Sequence, residues 1–257
     1  MEDKDASLLV HTHSPTGRSM TLSLSRLVLY FAVLMLLLTY TNLFLACYTS
    51  FNCSRFLPTL DYLGCFRGHD RVYIVSLTFY AVSLGICAVG CHRRQKGALS
   101  DDIRLVSTIS GLLAAVCLPV IAFSDEVNAI HWLPFTSIHW ASLALFWPTA
   151  VLWASCSYLS LCRLEAAFTQ WEAGWMKVLR VLVRLAVFTA LLALIEWHFA
   201  YTVYADALLN EIGEACCEWV LVGLAILYPA LLCQFNRGYV LRFSLETEVK
   251  EVELGQI

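Results

Sequence analysis

Carboxylates, imidazoles and a guanidinium stand at the ends of long apolar runs in this sequence, and these side chains could carry chemistry. The candidates are Arg71, Glu126, His131, Glu196, His198 and Glu218. A carboxylate such as Glu126 can orient a nearby imidazole such as His131, which then acts as a general base. The sequence therefore predicts a site for acid–base chemistry, which requires that the apolar segments bring these side chains together.

Glu218 is the most informative candidate because it lies inside an apolar run, with Cys217 before it and Trp219 after it. A charged group in the middle of a membrane helix costs about 2.5–3.5 kcal/mol on insertion scales, and such groups usually face the bundle interior or a water-filled cavity. We expect Glu218 to be a functional carboxyl. The structural alternative is that it caps a helix or pairs with His131 or His198.

The segments that must position these side chains are membrane-spanning helices. Of the 257 residues, 59% are apolar and 14% are charged, whereas soluble domains carry about 25% charged residues. The mean hydropathy is +0.68, a composition that excludes a disordered protein and disfavours a water-soluble domain. Six apolar runs have about the 20 residues that a bilayer requires: 27–48, 72–91, 105–123, 135–158, 178–197 and 215–234. The predicted fold class is an all-α polytopic membrane protein, a six-transmembrane-helix bundle.

Lys and Arg are distributed unevenly between the two faces of this bundle. The predicted spans place fourteen of the 17 on one face and only Arg55, Arg67 and Arg71 on the other. Because basic residues accumulate in cytoplasmic loops, we expect both termini to be cytoplasmic. Residues 1–26 form an N-terminal segment, 27–236 the membrane domain and 237–257 an acidic, solvated tail. The candidate side chains then gather at the lumenal edge of the bilayer.

The first lumenal loop carries two further candidate features. Asn52-Cys53-Ser54 is an acceptor pattern for N-glycosylation at Asn52. Cys53 and Cys65 lie in the same loop and could form a disulfide in an oxidising compartment.

No metal, cofactor or nucleic acid is expected. His131, His139 and His198 lack the short ligand spacing of a zinc site, and His139 is predicted to face the bundle. Glycine-rich phosphate-binding motifs are absent from the sequence. The expected partners are membrane lipids, and the oligomeric state stays open.

Three motifs resemble a known family in their order and predicted sidedness. They are Leu57-Pro58-Thr59 in the first lumenal loop, Glu126 with Ile130-His131 before the fourth span, and Glu218-Trp219 in the sixth. Over nearly its whole length the chain resembles the six-span FRAG/DRAM/SFK family. This family includes post-GPI-attachment-to-proteins factor 2 and the DRAM autophagy modulators, and is also called the CWH-like N-terminal domain family.

The resemblance implies a role in the lipid remodelling of GPI anchors, in which lyso-GPI is reacylated at the lumenal leaflet of the Golgi or endoplasmic reticulum membrane. The substrate is then lyso-GPI or a GPI-anchored protein. Our hypothesis makes His131 the base, oriented by Glu126, with Glu218 as a further catalytic carboxyl. The substrate contacts are assigned to Arg71, Glu196 and His198, with Arg71 on a phosphate. The chain is either an acyltransferase or a factor that assists one, because no nucleophile motif decides between them.

Two other functions stay open. A DRAM-like protein would be a non-enzymatic membrane modulator of autophagy in lysosomal membranes. A proton-coupled transporter or channel would use Glu196, Glu218 and the histidines as a proton path. That function predicts internal symmetry and polar residues that continue to the cytoplasmic side, and neither is visible in the sequence.

Overall fold

The chain is built from long helices with a small sheet at its two ends. The computed structural model describes residues 9–14, 17–51, 53, 57–65, 68–124, 133–202, 207–235 and 240–244. Its strands are β1 (Leu9–Ser14), β2 (Gly17–Ser23) and β3 (Val240–Ser244). Its α-helices are α1 (Leu24–Thr49), α2 (Leu60–Cys65), α3 (Asp70–Arg94), α4 (Asp101–Phe123), α5 (Leu133–Leu164), α6 (Gln170–Thr202) and α7 (Ala207–Gln234). A 3₁₀ turn, Glu165–Ala167, follows α5.

Six helices, α1 and α3 to α7, are long and apolar enough to cross a membrane. They coincide with the six predicted spans, which confirms a multi-pass helical membrane protein at this level. Helices suit a lipid environment because they satisfy every backbone N–H and C=O within one segment. Several helices extend past the predicted spans, since polar residues at their ends continue the helical hydrogen bonding. Basic residues in the fifth predicted span do not interrupt its helix. The helix α6 has 33 residues, and Arg180 within it pairs with Glu165.

The helix α3 lies at the centre of the bundle, where it contacts α1, α4 and α7. The helix α4 also packs against α5, and α7 packs against α6 and α1. The largest buried cluster includes Leu84 of α3, Trp153 of α5, Met176 of α6 and Leu232 of α7. Many apolar side chains on the outer surface are exposed, such as Val116 at 63%. Apolar surfaces both inside and outside are expected of a bundle whose solvent is lipid.

A glycine allows α3, α4 and α5 to approach closely. A Cβ atom on Gly111 of α4 would lie 2.7 Å from the Cβ of Ala88 and 2.6 Å from Cδ1 of Trp153. Small residues at such crossings are typical of membrane helices, because van der Waals contact drives their association.

The two ends of the chain form a three-stranded antiparallel sheet in the order β1-β2-β3. Met20 of β2 pairs with Phe243 of β3, and Leu9 of β1 pairs with Leu22 of β2. The sequence prediction contains no strand and treats residues 237–257 as a solvated tail, so the structure differs over 240–244. Strand pairing between residues more than 200 positions apart leaves no local signal in the sequence, since the partner strand supplies the hydrogen bonds.

The bundle has two ends that differ in chemistry. The His69 end contains α2, the ends of α1, α4 and α6, and the starts of α3, α5 and α7. The Arg94 end contains the opposite helix ends and the sheet. There Arg94 Nη1 donates to the carbonyl of Phe235 at 2.7 Å and Nη2 to Glu172 Oε1 at 2.5 Å. The Arg94 guanidinium also lies 5.7 Å from the ring centroid of Phe168. One side chain thus ties the end of α3 to the start of α6 and the end of α7.

Candidate functional site at the His69 end

The first loop is held against α7 by two adjacent side chains. Glu218 Oε1 accepts a hydrogen bond from the backbone N–H of Leu60 at 3.0 Å. Trp219 Nε1 donates to the carbonyl of Pro58 at 2.8 Å. Thr59 completes the start of α2, since its Oγ1 accepts from the N–H of Tyr62 at 3.3 Å. The Leu57-Pro58-Thr59 and Glu218-Trp219 motifs are therefore in contact, through a hydrogen bond between residues 161 positions apart.

Trp219 is fixed from its other side by α1. Tyr40 donates its hydroxyl to the carbonyl of Trp219 at 2.6 Å, and the two ring centroids are 5.7 Å apart. Gly223 makes room for this hydroxyl, because a Cβ atom there would lie 2.6 Å from it. Trp219 also packs with buried Ala46 and Leu63. The first loop, α1 and α7 are thus joined around one indole.

The hydrogen bond from Leu60 N–H to Glu218 caps the start of α2. A capping role is the structural alternative to catalysis that the sequence left open for Glu218. A carboxylate at the first turn of a helix satisfies a backbone N–H that has no intrahelical partner. The side chain is half-buried, as expected for a carboxyl at the edge of an apolar segment. The catalytic assignment of Glu218 stays a prediction.

A second polar group joins α1 to the start of α3. Asn42 Nδ2 donates to the backbone carbonyl of His69 at 3.2 Å, and Asn42 Oδ1 lies 2.7 Å from His69 Nδ1. The carbonyl can only accept, so the Asn42 amide must point its NH₂ group there and its oxygen at the ring. His69 Nδ1 therefore carries the ring proton, and this N–H donates a hydrogen bond to Asn42 Oδ1. In the neutral ring Nε2 is then the acceptor, and it lies 3.4 Å from Ser50 Oγ.

Local backbone features place His69 and Ser50. Gly68 has φ +102°, a left-handed conformation that glycine adopts without strain, and its N–H donates to Asp70 Oδ1 at 3.0 Å. His69 is the N-cap of α3, and its carbonyl accepts from Tyr73 N at 3.1 Å. On the other side, Ser50 N donates to Ala46 O at 2.9 Å and ends α1.

A disulfide closes the segment that contains Ser50. Cys47 is bonded to Cys53, with their Cα atoms 5.3 Å apart. The predicted partner of Cys53 was Cys65, so this pairing is corrected. The reason is that α1 continues to Thr49 and the chain then turns back, with both Ser50 and Phe51 donating to Ala46 O. That turn brings Cys53 beside the last helical turn of α1.

Two other predicted substrate contacts also lie at the His69 end. The Glu196 carboxyl on α6 packs against α7, where a Cβ atom on Gly213 would lie 3.2 Å from Glu196 Cδ. Arg71 is exposed in the first turn of α3. The structure thus places Arg71, Glu196 and Glu218 at one end of the bundle on three different helices.

The remaining predicted site residues lie outside the described parts of the chain. Glu126, His131 and Asn52 are among residues whose placement is not described. His198 falls within α6 and Cys65 within α2, but their side chains are not described. His139 is described, and it is 4% exposed, which confirms that it is buried in the bundle. Within the described ranges no group of three His, Cys, Asp or Glu side chains is arranged to hold a metal ion.

The candidates that the sequence indicates do not include His69, Asn42 or Ser50. Asn42 is 5% exposed and interrupts the apolar run of the first span, which was the available signal. A buried carboxamide in a membrane helix needs a partner. The sequence gives no means of choosing that partner.

Comparison of the chain with family models, with characterised proteins and with solved structures finds no match. The fold and the described contacts define a multi-pass helical membrane protein whose His69 end holds an ordered group of polar side chains.

Proposed function

We propose that this protein acts in the lipid remodelling of GPI anchors, at the step in which lyso-GPI is reacylated in the lumenal leaflet. The observation that supports it best is the contact of Glu218 and Trp219 with Pro58 and Leu60. Two of the three motifs that carry the family resemblance meet there. Their contact supports the proposal because residues that carry the resemblance hold one ordered site together.

The orientation in this proposal places the Arg94 end in the cytoplasm, with both termini. Lys and Arg side chains concentrate there, whereas in the described part of the chain Arg71 is the only Lys or Arg at the His69 end. The rule that positive residues stay inside supports this orientation. The disulfide Cys47–Cys53 at the His69 end supports it as well, because disulfides persist in oxidising compartments such as the lumen.

The chemistry of lyso-GPI fits the depth of this site. Its free glycerol hydroxyl lies near the carbonyl level of the lumenal leaflet, and its headgroup carries phosphate. Helix ends with Glu196, Glu218 and exposed Arg71 lie at that level in the proposed orientation. Acyl transfer needs a base for the hydroxyl and donors for the developing oxyanion. The pair of Glu126 and His131 remains the predicted source of the base.

Mass spectrometry of GPI lipids tests the function directly. In cells that lack the protein, GPI-anchored proteins should carry anchors without the remodelled saturated chain, as lyso or unsaturated forms. Re-expression of the natural chain should restore the saturated form. An unchanged chain composition would contradict the proposal.

Localisation provides an independent check. A tagged protein should lie in Golgi or endoplasmic reticulum membranes, because reacylation belongs to the secretory pathway. A lysosomal pattern would contradict the proposal and favour a DRAM-like modulator of autophagy.

A further inference from the structure

We propose that Ser50, His69 and Asn42 form a nucleophilic acyl-transfer site for ester-linked acyl chains of glycerolipids, in which Ser50 carries the acyl group. This inference deepens the proposed function and rests on it for the acceptor, lyso-GPI. It supplies the nucleophile for which the sequence shows no motif.

The hydrogen bonds give each of the three residues a distinct role. Asn42 fixes the ring of His69 through two contacts, at 2.7 Å to Nδ1 and 3.2 Å to the backbone carbonyl. Those contacts leave Nε2 as the basic nitrogen, 3.4 Å from Ser50 Oγ. Ser50 Oγ is also 3.1 Å from Thr49 Oγ1, whose own proton is donated to Leu45 O, so the Ser50 hydroxyl must rotate from Thr49 to Nε2 in order to be activated. A hydroxyl, an imidazole and an orienting amide in this order form the arrangement that activates a nucleophile. A nucleophile–base distance slightly above 3.2 Å is usual before substrate binds.

Burial increases from the nucleophile to the orienting residue. Ser50 is exposed, His69 is half-buried and Asn42 is 5% exposed. The base is therefore held by the bundle, while the hydroxyl remains open to a lipid. The Cys47–Cys53 disulfide holds the segment around Ser50 to the end of α1. Such support limits the motion of the hydroxyl relative to the ring.

The depth of Ser50 suits an ester carbonyl. Tyr48, two residues earlier in the last turn of α1, is 83% exposed. Exposed tyrosines of this kind are enriched at the membrane interface. Ser50 is then at the level where the ester groups of glycerolipids lie.

The start of α3 can stabilise the oxyanion that forms. His69 is its N-cap, and the His69 side chain makes no capping hydrogen bond to this helix end. The N–H groups of its first turn have no intrahelical partner, and they carry the positive end of the helix dipole. Arg71 in the same turn adds a positive charge, while the Asp70 carboxylate of that turn accepts from the Gly68 N–H at 3.0 Å. Donors of this type, fixed before the reaction, lower the barrier of acyl transfer.

The reaction balances without a redox partner. Ser50 Oγ attacks the ester carbonyl of a donor glycerolipid, and its proton passes to His69 Nε2. The carbonyl–oxygen bond to the donor glycerol then breaks, and the glycerol oxygen takes the proton from Nε2. In the second half, the hydroxyl of lyso-GPI gives its proton to Nε2 and attacks the acyl carbonyl. Ser50 Oγ leaves and recovers the proton, so the acyl group has moved from donor to acceptor.

An alkyl fluorophosphonate tests the nucleophile in the purified full-length protein in lipid nanodiscs. This probe transfers its phosphonyl group to an activated serine with loss of fluoride. Peptide mass spectrometry should find the adduct on Ser50, and Ser50→Ala should abolish total labelling. Ser124→Ala is the matched control, since Ser124 lies at the same end of the bundle with its Oγ bonded to Val120 O at 2.7 Å. This control should label as the natural chain does.

Variants of the other two residues separate catalysis from support. His69→Gln should slow labelling by about 100-fold or more, because it removes the base. Asn42→Asp keeps an acceptor for Nδ1–H but loses the donor to the His69 carbonyl, so it should label more slowly than the natural chain and faster than Asn42→Leu. Size-exclusion elution confirms that each variant is folded. Labelling that is absent from the natural chain, or insensitive to His69→Gln in a folded variant, would overturn the proposal.

The outcome is distinguishable from that of the proposed function. Labelled Ser50 in a protein whose loss leaves GPI lipids unchanged would keep this site and reject lyso-GPI as the acceptor. Altered GPI lipids together with an unlabelled Ser50 would keep the function and reject this site.

Discussion

Glu218 and Trp219 are consecutive residues of α7, yet they point to successive parts of the same loop. The Glu218 carboxylate accepts a hydrogen bond from the N–H of Leu60, and the Trp219 indole N–H donates one to the carbonyl of Pro58. A polar pair in a membrane helix is expensive unless both groups find partners. Here each partner is a backbone group of the loop, so the pair orders the loop while the loop satisfies the pair.

Substitution of Glu218 separates its structural role from the predicted catalytic one. Glu218→Leu should lower the free energy of unfolding by about 1.5–3 kcal/mol, because Leu60 N–H loses a charged acceptor. It should also expose residues 57–65 to protease. Glu218→Gln keeps an oxygen acceptor and should remain close to the natural chain in both assays.

The GPI lipids of cells carrying Glu218→Gln then decide the catalytic role. Normal remodelling would assign Glu218 to loop docking alone. A folded Gln variant with unremodelled anchors would support the catalytic carboxyl. A Gln variant as unstable as the Leu variant would contradict the cap described here.

The sequence indicated the importance of Glu218 but not its partner. A lone carboxyl in an apolar run is conspicuous in the sequence. The helix α2 has only six residues, too few for a periodic pattern that would predict a helix, so its need for a cap could not be predicted. Asn42 and His69 are 27 residues apart, and their contact depends on the rotation of α1 and α3 about their axes. Hydropathy fixes the length of a membrane helix but not this rotation, since apolar residues surround each helix.

The glycine at the crossing of α3, α4 and α5 gives a matched test of packing. Gly111→Ala should lower the free energy of unfolding by about 1–3 kcal/mol through overpacking, because its Cβ meets Ala88 and Trp153 below 3 Å. Gly85→Ala is the control, since its nearest neighbour is Ala115 Cβ at 3.8 Å. Both changes add the same methyl group to a helix, so apparent Tm values in detergent report the crossing itself. Equal Tm values for the two variants would contradict this packing.

The Arg94 end offers a second matched pair. Arg94→Ala should lower the free energy of unfolding by about 1.5–3 kcal/mol, because Glu172 and the carbonyl of Phe235 lose a charged donor. Arg93→Ala removes an exposed guanidinium from the adjacent position and should change stability by less than about 0.5 kcal/mol. Thermal unfolding of both variants at low and high salt measures the difference. Similar losses for Arg93 and Arg94 would show that the contacts of Arg94 do not hold the three helix ends together.

The six candidate spans were predictable because a bilayer requires long apolar runs. The sheet was not, because each strand is short and its pairing joins opposite ends of the chain. Met20 and Phe243 pair although six helices long and apolar enough to cross a membrane separate them along the chain. The pairing of β2 with β3 and an even number of crossings both predict that residues 9–23 and 240–244 lie on the same side of the membrane.

This arrangement predicts where tags on the two termini will be found. In cells whose plasma membrane alone is permeabilised, antibodies should reach an N-terminal tag and a C-terminal tag equally, because the positive-inside rule places the Arg94 end in the cytoplasm. A lumenal marker protein, stained only after full permeabilisation, is the control. Two tags that require full permeabilisation would invert the proposed orientation and move the His69 end to the cytoplasm, away from lyso-GPI. Tags on opposite sides would contradict both the six crossings and the pairing of β2 with β3.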